Sequence, residues 1–209
     1  MLEISTVLHD ELSPEDQWLK VQADEDGRAF RVVLNHYIPQ GQLRVNRILN
    51  ICAGLAPEEN ELVEHFGITK SQLVSVELEV DQVLLGRKIG RETLVQGNLT
   101  ERPFIESLGA GFGLVVGRNV PLNPGLRWTP VPEWVDIFRS LYRITEDRSS
   151  VFLTLLRDDE FDMGLEILQK VGFTNIKTAD WNDNPVPSLI PGVAVITKDL
   201  YVILAEKPR

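Results

Sequence analysis

Glu77 follows Gly54 by 23 residues, a spacing with a chemical use. In a βαβ unit, a small-residue turn after the first strand lets backbone approach a ligand. An acid about 20 residues on, at the end of the second strand, accepts hydrogen bonds from ribose hydroxyls. Here the turn is Asn50-Ile51-Cys52-Ala53-Gly54-Leu55-Ala56, and the acid is Glu77. Arg118 and Asn119 follow a later apolar run, where one could neutralise and the other orient an acidic small molecule. His36 and Tyr37 are weaker candidates for a catalytic base, because histidine titrates near neutrality.

Two other sets of residues invite chemistry that their surroundings do not support. Cys52 is the only cysteine, and a Cys–His pair would need a nearby histidine, whereas His9, His36 and His65 are scattered. A cysteine in a buried turn acts as a small hydrophobe. Glu58, Glu59, Glu61, Glu64 and His65 are metal-type side chains, but they lack the H-E-x-x-H spacing. The acids are expected on a solvent-facing helix surface, and no metal is expected. Glu58 and Glu59 favour a helix start through its dipole; beside a ligand they would repel a carboxylate or attract an ammonium.

These side chains need elements to hold them. Ser13-Pro14-Glu15-Asp16 reads as a helix start, with an N-cap serine and proline at the first helical position. Residues 24–27 read as a turn, and 29–37 as a further helix. Short apolar runs at 47–52, 72–78, 93–96, 112–118, 150–156, 176–181 and 200–205 read as strands. Helical patterns at 57–66, 81–89, 132–142 and 161–171 lie among them, several stopped by glycine. Trp128, Trp134 and Trp181 are expected in packing roles. Residues 119–125 and 182–192 read as loops rich in turn formers. Strands alternating with helices imply parallel βαβ units: a doubly wound α/β sheet. Residues 1–42 form an N-terminal helical cap on this reading, and 43–209 the α/β domain.

The chain has 209 residues, enough for one domain with its own core. Its formal charge of −10 opposes binding to nucleic acid, and the densest basic cluster is only Arg87, Lys88 and Arg91. No apolar run approaches the ~18 residues a membrane span requires, and the first ten residues do not resemble a signal peptide. A cytoplasmic location is expected, in keeping with one unpaired cysteine.

The order of these segments resembles the class I S-adenosylmethionine-dependent methyltransferases. Residues 48–56 look like the family's first motif, 74–78 the second, 95–99 the third and 112–119 the fourth. A helix ending near Gly172, then 176–178 and a closing strand at 201–207, match the family's end. The resemblance covers about 45–207. It implies a mostly parallel seven-stranded sheet with helices on both faces and an antiparallel last strand. It also implies S-adenosylmethionine as cofactor and a small molecule as methyl acceptor, and leaves a homodimer open. By family position, Asn50 and Cys52 belong to the cofactor turn and Gly54 lies beneath the methionyl part. Glu77 holds the ribose, Leu78, Asn98 and Leu99 border adenine, and Arg118 and Asn119 line the reaction pocket. The chain departs from the family at marked places. Asn50 stands where an acid is expected, Cys52 and Ala56 replace two of three glycines, and Asn98 and Gly113 replace acids. Two outcomes stay open: small residues still admit the cofactor, or the domain serves as a binding module without catalysis.

Overall fold

The computed structural model describes residues 12–122, 131–180 and 201–209. His9, Trp128, Trp181, the 182–192 loop and residues 123–125 of the 119–125 connection lie outside the described residues. The chain begins with α1 (Pro14–Tyr37), then β1 (Ile48–Ile51), α2 (Glu59–Phe66), β2 (Leu73–Glu77), α3 (Val80–Lys88) and β3 (Leu94–Gln96). It continues through α4 (Arg102–Ser107), β4 (Phe112–Gly117), α5 (Val131–Ile144), β5 (Thr145–Leu155), α6 (Asp158–Val171), β6 (Thr174–Asp180) and β7 (Tyr201–Glu206).

Seven strands form one sheet in the order β3-β2-β1-β4-β5-β7-β6. The first five pair in parallel, and β7 runs antiparallel to both β5 and β6. Every residue of β1 and β4 is buried, as central parallel strands covered on both faces require. Side chains alternate between two cores. Leu49, Ile51, Val115 and Leu153 face Trp134, Ile137, Phe138 and Leu141 of α5. Ile48, Leu114, Val116 and Phe152 face Phe30, Val33 and Leu34 of α1 and Leu62 of α2. The strand order reverses between β1 and β4, so the carboxyl ends of these strands open the crevice where such sheets bind ligands.

The N-terminal helix departs from its sequence pattern. Asp24, Glu25, Asp26 and Gly27 are helical, and α1 is one helix of 24 residues. Ser13 caps it, its side chain accepting from Asp16 N, with proline at the first helical position. Gly27 is buried, and a Cβ there would lie 2.2 Å from the Pro57 carbonyl oxygen. Its role is close approach between helix and loop. Ion pairs fasten the helix along its length: Asp16 to Lys88 at 2.6 Å, Asp24 to Arg91 at 2.5 Å, and Arg31 to Glu61 and Glu64 at 3.0 and 2.8 Å.

Two other elements differ from the sequence reading. α4 has only six residues, with Pro103 in its first turn and Ile105 as its buried side chain, too short for a helical period to show in the sequence. β5 starts at Thr145, directly after α5, because Arg148 at φ +65 and a register shift against β4 let a polar stretch join the ladder.

α2 also buries charge that was expected in water. Glu59 is fully buried and accepts from Thr93 N at 3.0 Å and Thr93 Oγ1 at 2.7 Å, with Lys70 Nζ 3.3 Å away. Glu58 is buried too, and Glu64 is the exposed acid of the group. Their partners come from distant segments, so no local pattern announces them. His65 is buried, and its Nε2 donates to the Ile38 carbonyl at 2.8 Å. Burial pushes its pKa below the ordinary 6.5; the bond to Ile38 opposes this and Arg31 adds to it. The unfolded chain therefore takes up a proton that the folded chain refuses. Stability is expected to fall as pH drops below 6.5 toward the folded pKa. His65→Gln keeps an N–H for Ile38, and urea unfolding across this window should show a flatter pH dependence than the wild type.

Candidate functional site

The site lies at the carboxyl ends of β1, β2, β3 and β4. After β1 the chain coils through residues 52–58 with alternating left-handed residues: Cys52 at φ +54, Gly54 at +53 and Ala56 at +48. These are the three positions at which the resembling family carries glycine. The backbone keeps the glycine conformation although two side chains do not favour it. A Cβ at Gly54 would meet no heavy atom within 4 Å, so the space above this residue is open. Cys52→Val conserves volume roughly but puts a β-branched residue at positive φ. It is expected to cost about 1–2 kcal/mol, while Cys52→Gly melts at or above the wild type; thermal melts of both variants decide it.

Glu77, the last residue of β2, closes this turn. Its Oε2 accepts from Gly54 N at 2.7 Å, and its Oε1 accepts from Leu78 N at 2.8 Å and Glu79 N at 3.0 Å. A carboxylate offers about four acceptor sites, and these bonds fill three. Leu78 is 56% exposed beside it. Asn98, after β3, is a turn former: its Oδ1 accepts from Thr100 N at 3.0 Å and Thr100 Oγ1 at 2.8 Å. Leu99 is buried.

β4 delivers Arg118 and Asn119. Asn119 is left-handed at φ +50, a conformation asparagine tolerates, and its N–H donates to Thr154 Oγ1. Arg118 forks onto Asp26 of α1, Nη1 to Oδ2 at 2.9 Å and Nη2 to Oδ1 at 3.0 Å, and stacks over Phe30. Sequence reading aimed this guanidinium at an acidic substrate, but a carboxylate from α1 holds both arms of its fork.

Two cavities meet here. The larger, about 560 Å³, lies between α1 and the β1–α2 turn; Gln22, Glu25, Asp26, Pro57 and Glu58 are in its wall. The other, about 400 Å³, is lined by Glu77, Leu78, Gln82, Asn98, Leu99 and Trp134, among others. Cys52, Gly54, Arg118 and Asn119 line both. Each volume lies in the usual range for small-molecule sites. Thus Cys52, Gly54, Glu77, Leu78, Asn98, Leu99, Arg118 and Asn119 converge.

Asn50, His36 and Tyr37 do not join them. Asn50 is fully buried behind Glu58 and lines neither cavity. His36 and Tyr37 sit in the last turn of α1, away from both cavities, because continuous helix carries them down over the sheet. Burial first, and Asp180 second, push the Tyr37 hydroxyl pKa up. The structure adds three residues that the sequence did not single out as lining a site: Asp26, Gln82 and Trp134, whose indole Nε1 is buried without a hydrogen-bond partner among the described residues. Helical spacing from Trp134 through Ile137 to Leu141 marks a core face, so the indole reads as packing until α5 is placed.

No protein-family model and no curated protein sequence matches the chain. Solved structures do match. A SAM-dependent methyltransferase from Archaeoglobus fulgidus superposes with a TM-score of 0.59 at 14% identity, covering 91% of this chain and 100% of that one. The plantazolicin methyltransferase BpumL, in complex with SAH, gives 0.60 at 10% identity, covering 94% and 91%. A TehB-like SAM-dependent methyltransferase from Corynebacterium glutamicum gives 0.55 at 11% identity, covering 93% and 96%. The chain has the Rossmann-like fold of the S-adenosylmethionine-dependent methyltransferases, antiparallel last strand included.

Proposed function

We propose that this chain binds S-adenosylmethionine across the two joined cavities and transfers its methyl group to a small-molecule acceptor. One observation carries the reading. The Glu77 carboxylate, with one acceptor site to spare, stands in a cavity that continues past the open backbone of Gly54 into a second cavity beneath α1. Adenosine fits the first space: Glu77 takes a ribose hydroxyl, and Leu78 and Leu99 flank the base. The methionyl part crosses Gly54. The acceptor enters beneath α1, which serves as the cap of the site.

Bound S-adenosylmethionine supplies an electrophilic methyl on a sulfonium sulfur, which leaves as a neutral thioether. The protein's share is to hold the acceptor in line with the methyl, a proximity effect. The Asp26–Arg118 fork fixes α1 beside the shared residues and shapes the acceptor space. Glu25, Asp26 and Glu58 outnumber Arg118 in that wall, so the acceptor is neutral or cationic.

A second reading, a methyltransferase-like domain that binds a partner without catalysis, has one observation in its favour. The three backbone bonds of Glu77 are a structural use that needs no ligand. Calorimetric titration of the purified protein with S-adenosylmethionine and S-adenosylhomocysteine separates the two. Saturable binding in the micromolar range is expected; no heat at millimolar ligand overturns the methyltransferase reading and leaves the second.

Among the described residues, no helix is long and apolar enough to cross a membrane.

A further inference from the structure

Asn50 and Glu58 form a buried pair. Asn50, in β1, is 0% exposed, and its Nδ2 donates to Glu58 Oε1 at 2.7 Å. An amide beside a carboxylate must turn its N–H toward it, so the orientation is set by chemistry. The Asn50 Oδ1, on the same carbon, then has no donor among the described residues. Glu58 is 1% exposed and forms part of the wall of the larger cavity, beside Gly54 and Leu55. The tight coil through Cys52, Gly54 and Ala56 brings a residue eight positions later back against β1.

The geometry points to Glu58 as the carboxylate that receives the α-ammonium group of the cofactor, with Asn50 as the residue that positions it; this rests on the S-adenosylmethionine reading. Position 50 is where the resembling family carries an acid, and the side chain there is walled off from both cavities. The carboxylate stands one hydrogen bond further out, within the cavity wall. An ammonium has three N–H donors and no acceptor, which suits a cavity-wall carboxylate held in place by an amide N–H. The sign of the neighbourhood agrees: Glu25 and Asp26 share the wall, and the Arg118 charge is engaged by Asp26.

The test is calorimetry with two ligands on four proteins. S-adenosylhomocysteine carries the ammonium; 5′-methylthioadenosine shares the adenosine and thioether but lacks the whole amino-acid end. A loss that Glu58→Gln confines to the first ligand therefore lies at that end, and the sign of the substituted charge assigns it to the ammonium. The proteins are the wild type, Glu58→Gln, Asn50→Asp and the exchanged pair Asn50→Asp/Glu58→Gln. Glu58→Gln is expected to weaken S-adenosylhomocysteine about tenfold or more, the scale of one charge-assisted bond, and to leave methylthioadenosine unchanged. Asn50→Asp alone sets two carboxylates within hydrogen-bond distance and should melt lower. The exchanged pair should melt near the wild type yet bind S-adenosylhomocysteine as weakly as Glu58→Gln, because its carboxylate lies behind position 58 and outside both cavities. No acceptor is present, so a loss belongs to the cofactor. Unchanged S-adenosylhomocysteine binding by Glu58→Gln overturns the assignment, as does an equal loss of both ligands, which marks a structural role. If the wild type binds neither ligand, the S-adenosylmethionine reading itself falls, and this inference with it.

Discussion

Glu77→Ala is expected to lower S-adenosylhomocysteine affinity by about 10–100-fold, the cost of one charge-assisted bond to a ribose hydroxyl. The same substitution removes the acceptor for Gly54 N, Leu78 N and Glu79 N. These groups are partly hydrated, so the stability loss is expected near 1–2 kcal/mol rather than the full sum of three bonds. Glu77→Gln keeps the shape and one oxygen but turns an amide toward one set of backbone donors, and should fall between. Melting curves and titrations of the same preparations separate the two roles. A Glu77→Ala protein that melts lower yet binds S-adenosylhomocysteine as the wild type does would remove Glu77 from the ribose site and leave it as the anchor of the β1–α2 turn.

Gly27→Ala should be among the most destabilising single-methyl changes in the molecule. Helix propensity argues the other way, since alanine in a helix interior is better than glycine by about 1 kcal/mol. The added Cβ, however, lies 2.2 Å from Pro57 O and 3.0 Å from Pro57 C. Those are backbone atoms, and they cannot rotate aside. The helix must move, and Asp24–Arg91 and Asp26–Arg118 lie within one turn of the collision. Overpacking of this kind costs about 3 kcal/mol, or about 6–12 °C in melting temperature for a chain of this length. The larger cavity, which α1 walls, should lose ligand affinity as well. Arg28→Ala, next along the helix and exposed, should stay within about 0.5 kcal/mol of the wild type. A Gly27→Ala protein that melts higher than the wild type would show that propensity governs this position and that α1 does not rest on the Pro57 carbonyl.

Local pattern alone was enough to locate much of the sheet and one end of its site. β1, β2 and β4 are short apolar runs because both their faces are covered, and that burial is written in composition. Ser13 and Pro14 announce the start of α1 through the chemistry of a helix N-terminus. The place of Glu77, 23 residues past Gly54, follows from the length of one βαβ unit.

Tertiary structure decided what depends on partners far along the chain. Asp24 to Gly27 has the composition of a turn, yet it stays helical because Arg91, Arg118 and the Pro57 carbonyl receive it. Glu58 and Glu59 look like solvated acids until Asn50, Thr93 and Lys70 are placed beside them. Arg118 looks free to meet an anion until Asp26 arrives, 92 residues away in sequence. His36 and Tyr37 lose their place at the site because one unbroken helix carries them away from it. Cys52 and Ala56 hold left-handed backbone that their own side chains oppose, a cost of about 1–2 kcal/mol each. Propensity and periodicity are properties of neighbours in sequence. The charge, amide and backbone contacts that build this site join residues that only the folded sheet brings together.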